Sequence, residues 1–145
     1  MMPRSLTTTF CLILVFTSCS SYTSTLQQSP GRVDEGVTIS TLRGISRAQT
    51  TYLVANGQYG TFEQLSTGGF LDSRFNTDHP KIFGYTLTMT TTPSSGGSTE
   101  PSYSCNADPT DTASSKGRHF YMDTGGVIHV NATQPATESD ERLQQ

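Results

Sequence analysis

Few side chains in this sequence have types and spacings that could bind a metal or carry out catalysis. His119 and His129 are the first candidates, because they flank "DTGG" in a stretch from Gly117 that is typical of a β-hairpin. If Met122 opposes Val127 in that hairpin, the two imidazoles point to opposite faces of the sheet. Such a pair cannot share a zinc ion, which takes four ligands in a structural site. We therefore predict no metal site.

Three aspartates, Asp108, Asp111 and Asp123, are the candidates for binding calcium. The stretch "DPTDT" lacks the dense alternation of ligands and the glycine turn of an EF-hand loop. The alternative interpretation is turn formation, since an aspartate side chain bonds readily to nearby backbone groups. We favour turn formation for Asp108 and Asp123.

Cys105 is the candidate nucleophile. The sequence has three cysteines. Cys11 lies in a predicted N-terminal signal that is removed, and Cys19 is the predicted lipid acceptor, so Cys105 has no disulfide partner in the mature chain. A catalytic thiol needs a nearby base, and the sequence alone does not place His119 beside it. We expect a half-buried strand cysteine instead. No Gly-x-Ser-x-Gly elbow is present, so we predict no catalytic residues and no enzyme, with a small hydrolase as the least favoured alternative.

The N-terminal segment resembles the signal of a bacterial lipoprotein. Arg4 precedes a short apolar core, "FCLILVF" from Phe10 to Phe16, whereas a membrane-spanning helix needs about 20 residues. The stretch "FTSC" resembles a lipobox, with two small residues before Cys19 and Phe16 where leucine is usual. We predict that residues 1–18 are a signal peptide and that Cys19 is the lipidation site. An ordinary secretory signal is the alternative.

A lipid on Cys19 would make the membrane the first partner of this protein. Ser20 stands at the position where aspartate favours retention in the inner membrane, so we expect the outer membrane. The alternative is that the protein is secreted or remains in the periplasm.

The composition is typical of an exported protein with one modest core. The chain has 145 residues, a net charge of −3, 14% charged residues and 32% hydrophobic residues. Nothing in it resembles the basic patch that binds nucleic acid, and we predict no nucleic-acid partner and no small-molecule cofactor.

Both ends of the mature chain look unstructured in sequence. Residues 19–32 are polar and aperiodic, which predicts a flexible tether. Residues 132–145 combine Pro135 with a cluster of acids and little to bury, which predicts a disordered tail. The folded domain is then 33–131.

One long helix is predicted from Asp34 to Asn56. Its apolar residues recur at steps of three and four and form one stripe: Ile39, Leu42, Ile45, Ala48 and Tyr52. The opposite side holds Arg43, Arg47, Gln49 and Thr50. Acidic residues at its start suit the helix dipole, and Gly57 suits its end. A second, short helix is predicted after Thr61, which forms a capping box with Gln64.

Strand patterns follow Pro80. "FGYTLTMTT" alternates threonines with Phe83, Tyr85, Leu87 and Met89, and "SYSCNAD" alternates polar residues with Tyr103, Cys105 and Ala107. The hairpin from Gly117 follows. The predicted fold class is α+β, with one long N-terminal helix packed on a three- to four-stranded antiparallel sheet. We expect the aromatic groups in "QYGTF" and "HFYM" to pack between helix and sheet rather than to form a stacking surface.

The order of these motifs resembles the head domain of type IV pilins and type II secretion pseudopilins. The resemblance covers about residues 33–130 and implies a helix lying on an antiparallel sheet. The matching positions are Leu42, Arg43, Ala48, Gln49, Tyr59, Gly60, Phe120, Tyr121, Asp123, Gly126, Val127 and Ile128.

The chain departs from that family at its N-terminus. A pilin has a prepilin peptidase site and a hydrophobic stem of about 20 residues, and "LILVFTSC" provides neither. The favoured function is a non-enzymatic envelope lipoprotein with a pilin-like head, acting as an accessory or binding protein whose binding residues the sequence does not identify. The alternative is an atypical minor pseudopilin, with secretion or pilus components as partners.

Overall fold

The computed structural model describes residues 30–95, 99–110 and 117–144, with side chains from Asp34 onward. The predicted signal peptide 1–18, the lipidation site Cys19 and most of the predicted tether lie outside the described residues. Within them the fold is α+β, with one long helix and one antiparallel sheet.

The long helix, α1, spans Pro30–Asn56. It begins four residues before the predicted start at Asp34, so residues 30–32 belong to the helix and not to a flexible tether. Proline suits a first helical position because the missing N–H has no partner there in any helix. The end at Asn56 is as predicted, and Gly57 follows it with φ at +71°.

The predicted stripe of α1 is confirmed by burial. Leu42, Ile45 and Ala48 are buried, and Ile39 and Tyr52 are partly buried. The prediction was wrong for Gln49, which is fully buried. Its amide bonds to backbone groups after the helix, and the helical spacing alone does not show this partner.

A short helix, α2, spans Phe62–Thr67 and has the predicted capping box. Thr61 accepts from the Gln64 N–H at 3.3 Å, and the Gln64 side chain accepts from the Thr61 N–H at 2.9 Å. A 3-10 turn at Ser73–Phe75 leads toward the sheet.

The sheet has six strands in the described residues, and each pairs antiparallel with its sequence neighbour. They are β1 Lys81–Ile82, β2 Tyr85–Thr92, β3 Ser102–Pro109, β4 His119–Asp123, β5 Ile128–Asn131 and β6 Glu141–Arg142. The predicted count of three to four was wrong because β1 and β6 have two residues each. Strands of that length have no alternation for a sequence pattern to reveal.

The sheet has one inner face against α1 and one outer face. A single buried cluster joins the helix residues Leu42 and Ile45 to the inner-face residues Tyr85, Leu87, Tyr103, Cys105, Ala107, Phe120, Met122 and Ile128. The predicted packing of the aromatic groups is confirmed for Tyr59, whose ring centroid lies 4.8 Å from that of Tyr103, and for Phe120, whose ring centroid lies 5.8 Å from that of Tyr85. It was wrong for Tyr121, which lies on the outer face and contacts the His129 ring. The outer face is polar, with Thr86, Thr88, Ser104, Asn106, Asp108, His119 and Tyr121.

The hairpin of β4 and β5 differs from its predicted register by one residue. Met122 pairs with Ile128, and Tyr121 pairs with His129. Because residues two apart share a face, His119 and His129 both lie on the outer face, and the prediction of opposite faces was wrong. The turn takes one residue more than "DTGG" suggests.

Phe83 also differs from its predicted place. It lies in the two-residue turn between β1 and β2, with φ at +47°, and is 52% exposed. It therefore does not share the inner face with Tyr85 and Leu87.

The predicted disordered tail is part of the fold as far as Gln144. Residues 132–144, here called the strap, cross the outer face and add β6 to the sheet, with Arg142 opposite His129. Ala136 is only 2% exposed. Composition missed this segment because the groups that hold it, among them Asn106 and His129, belong to other strands.

Candidate functional site

A cleft of about 430 Å³ lies on the outer face, between the ends of β3 and β4 and the beginning of the strap. Its walls combine polar and apolar groups from three separate segments: Asp108, Pro109, Gly117, His119, Ala132, Thr133, Gln134 and Pro135. This cleft is the candidate site.

An aspartate and a histidine form a pair in this cleft. The strand register that sets Ala107 opposite Phe120 brings Asp108 beside His119, one residue further along. Their Oδ1 and Nδ1 atoms are 2.6 Å apart. An ionised carboxylate can only accept, so Nδ1 donates, and the ring is fixed in orientation and tautomer. His119 would then contact a ligand through Nε2.

The strap that forms one wall of the cleft is held by polar side chains of the sheet. Asn106 donates to the carbonyl of Ala136 at 2.9 Å, and His129 donates from Nδ1 to the carbonyl of Asp140 at 2.8 Å. Asn131 donates to the Asp140 carboxylate at 2.7 Å. These bonds position the wall relative to Asp108 and His119.

Asp140 also closes the turn before β6. Its Oδ2 accepts from the N–H of Thr137 at 2.7 Å and from its hydroxyl at 2.9 Å. These hydrogen bonds hold the pKa of Asp140 below its usual value. The bond from the Thr137 N–H has the largest effect, and the bonds from the side chains of Asn131 and Thr137 come next.

A buried phenol lies behind the wall formed by Gly117. The hydroxyl of Tyr85 has no hydrogen-bond partner among the described residues. Burial raises the pKa of Tyr85 far above its ordinary value, and the nearby Glu35 carboxylate raises it further. A Cβ on residue 117 would lie 2.6 Å from this hydroxyl, so only glycine allows the approach.

An ion pair ties α1 to the same end of the sheet. Arg118 donates to Glu35 from its backbone N–H at 3.0 Å and from its guanidinium at 3.0 Å, and it lies 5.7 Å from the Phe120 ring centroid. The predicted helix start at Asp34 put Glu35 in the first turn of the helix, and this was wrong because α1 begins at Pro30. Glu35 bonds across to the beginning of β4.

A second depression, of about 720 Å³, lies between the end of α1 and α2. It is wider open than the cleft, and its lining includes Tyr52, Glu63, Gln64 and Phe70.

Cys105, the candidate nucleophile, is fully buried on the inner face, deeper than the half-buried position predicted. Burial raises the pKa of its thiol to about 12. Cys105 therefore remains a thiol at neutral pH. It also lies on the opposite face of the sheet from His119, so the two side chains cannot form a catalytic pair.

The candidate calcium residues do not come together. Asp123 accepts from the Gly125 N–H at 2.8 Å, which is the predicted turn. Asp108 belongs to β3 and bonds to His119, so the prediction of a turn was wrong for it, and Asp111 is outside the described residues. No group of three or more His, Cys, Asp or Glu side chains suited to a metal occurs in the described part of the chain.

The Asp108–His119 pair was missed in the sequence, although a signal for it existed. The alternation of "SYSCNAD" already puts Asp108 on the face opposite Cys105. His119 lies on the face opposite Phe120, but the pairing of β3 with β4, which brings Asp108 and His119 together, was not predicted.

No helix within residues 30–95, 99–110 and 117–144 is long and apolar enough to cross a membrane. Comparisons with protein-family models, with curated proteins and with solved structures found no match for this chain.

Proposed function

We propose that this protein is an exported lipoprotein with a pilin-like head that works as a non-enzymatic binding or accessory protein at the bacterial envelope. The lipid on Cys19 holds it to the membrane, with the outer membrane as the expected site. The cleft beside His119 is its ligand-binding site.

The anchor rests on the "FTSC" motif and the short apolar core before it. Cells supplied with a labelled fatty acid should label the wild-type chain, and Cys19→Ala should abolish the label. A wild-type chain that takes up no label would exclude lipidation.

The pilin-like head is supported by how α1 meets the sheet. The helix buries Leu42 and Ile45 against one face of an antiparallel sheet, which is the arrangement that the resemblance implies. An atypical minor pseudopilin is the alternative, and genes for a secretion ATPase or a prepilin peptidase beside this one would favour it.

The binding role rests on one observation, the fixed Asp108–His119 pair in a cleft of about 430 Å³. Pockets with a few oriented polar groups on mixed walls are typical binding sites. The pair provides the oriented polar group, and Pro109 and Pro135 provide apolar walls.

A photo-crosslinking amino acid at exposed Gln134 tests the cleft in membranes, with exposed Glu63 in the second depression as the matched position. We expect an adduct at position 134 that is absent at position 63 and is lost in His119→Asn. Equal adducts at both positions, or adducts at position 134 unaffected by His119→Asn, would contradict the proposal.

A further inference from the structure

Phe83 occupies a position that the fold does not explain. It is the first residue of a two-residue turn that joins β1 to β2, where Ile82 pairs with Tyr85. Both turn residues have positive φ, +47° for Phe83 and +80° for Gly84. Asparagine, aspartate and glycine are the usual residues in such a turn, because a side chain with Cβ is strained there.

The backbone strain at Phe83 is not offset by burial of its ring in the core. Phe83 is 52% exposed and is not among the residues of the core cluster. A bulky aromatic side chain in a strained turn and in contact with water is a candidate for contact with a partner outside the fold.

The turn lies at the end of α1 from which the chain leads back to Cys19. A Cβ on Gly84 would lie 3.8 Å from the Asp34 carboxylate, so the turn touches the part of α1 near its start. Pro30 is eleven positions after Cys19. Eleven residues span at most about 40 Å when fully extended, so a lipid on Cys19 keeps this end of the domain within reach of the bilayer.

We infer that Phe83 inserts into the interfacial layer of the membrane that holds the lipid on Cys19, and thereby sets the orientation of the domain. This inference rests on the proposed lipid anchor. The occupant of the Phe83 surface is then the bilayer itself.

Aromatic rings are favoured at the level of the lipid head groups, and a second membrane contact makes a single lipid anchor more stable. Exposed Lys81 would favour anionic lipids, whereas exposed Asp78 and the Asp34 carboxylate beside Gly84 would oppose them. Because these charges oppose each other, the contact depends on the ring.

The test uses the absence of tryptophan from the sequence. The full chain is produced with Phe83→Trp, purified as the mature lipoprotein and reconstituted into vesicles of phosphatidylethanolamine and phosphatidylglycerol. Val54→Trp is the control, because Val54 is 84% exposed and lies about 30 Å further along α1.

We expect the tryptophan emission of the Phe83→Trp variant to shift to shorter wavelength in vesicles and to be quenched by phospholipids with brominated acyl chains. The Val54→Trp variant should show neither effect, and its indole should stay accessible to acrylamide. Equal accessibility of the two indoles to acrylamide, on protein that floats with the vesicles, would overturn the inference while leaving the anchor intact.

Two further outcomes also decide the question. In the first, the indole at position 83 is shielded from acrylamide, but the shielding disappears when the protein is diluted at constant lipid. This outcome would assign the surface to a second copy of this chain and contradict the inference. Wild-type protein that does not float with vesicles would overturn the lipid anchor and the inference together.

Discussion

Gln49 and Gly60 form two hydrogen bonds with each other in the interior of the protein. The Gln49 amide donates to the Gly60 carbonyl at 2.6 Å, and its oxygen accepts from the Gly60 N–H at 2.9 Å. The Gln49 side chain thus satisfies both backbone hydrogen-bonding groups of buried Gly60, as a neighbouring strand would, and fixes the position of the chain after α1. Both residues belong to the short motifs on which the resemblance to pilin heads rests.

Replacing Gln49 should destabilise the fold more than a polar residue on a helix usually does. Gln49→Leu keeps most of the volume but leaves a buried N–H and a buried carbonyl of Gly60 without partners. Each such group costs about 1–3 kcal/mol, so we expect a loss of about 2–6 kcal/mol in denaturant unfolding. Gln58→Leu, at an exposed position nearby, is the control. A loss no larger than that of the control would mean that Gly60 finds water or another partner.

The buried stripe of α1 makes a second stability prediction. Leu42 and Ile45 are 0% exposed, so Leu42→Ala or Ile45→Ala should each cost about 2–5 kcal/mol. Arg47→Ala, on the exposed side, should change the free energy of unfolding by no more than about 0.5 kcal/mol. Equal melting temperatures for the wild type and all three variants would show that α1 does not hold the sheet together.

The sequence predicted correctly the elements that depend on interactions between residues close to one another in the chain. The spacing of Leu42 and Ile45 indicated the buried side of α1, Gly57 indicated its end, and the Thr61–Gln64 capping box indicated the start of α2. Each of these features depends on residues within a few positions of one another, so the sequence carries the information directly.

Features that depend on distant partners were not predictable in this way. Gln49 looked exposed because Gly60, eleven residues later, supplies its bonds. The strap looked disordered because Asn106 and His129, which hold it, belong to other strands. The Asp108–His119 pair depends on the pairing of β3 with β4, whose register no local pattern reveals. In the hairpin of β4 and β5, the error of one residue moved His129 to the wrong face.

The strap should detach in acid. The pKa of Asp140 lies below its ordinary value of 3.8 because it accepts bonds from Thr137 and Asn131. A depressed pKa contributes stability that is fully present above the ordinary value and is lost as the pH falls through the folded value. We expect the Leu143 N–H, which bonds to the Ile128 carbonyl at 2.8 Å, to lose protection from hydrogen exchange below about pH 4.

Asp140→Asn should weaken protection at neutral pH and remove this acid transition, whereas Glu138→Gln in the same turn should keep it. Equal pH profiles for the wild type and Asp140→Asn would assign the transition to another group.

The last prediction separates the role of Phe83 in the fold from its role outside it. Phe83→Asn and Phe83→Ala both remove the ring, but only asparagine tolerates φ near +47° well. A left-handed conformation costs a residue with a plain Cβ about 1–2 kcal/mol, so Phe83→Asn should be more stable than Phe83→Ala by about 1 kcal/mol in denaturant unfolding. Because the ring is half exposed, Phe83→Asn should also lie within about 1 kcal/mol of the wild type. Equal stability of the two variants would mean that the turn relaxes to negative φ. A loss of several kcal/mol in both would mean that the ring supports the core, and its strained, exposed position would then need no membrane to explain it.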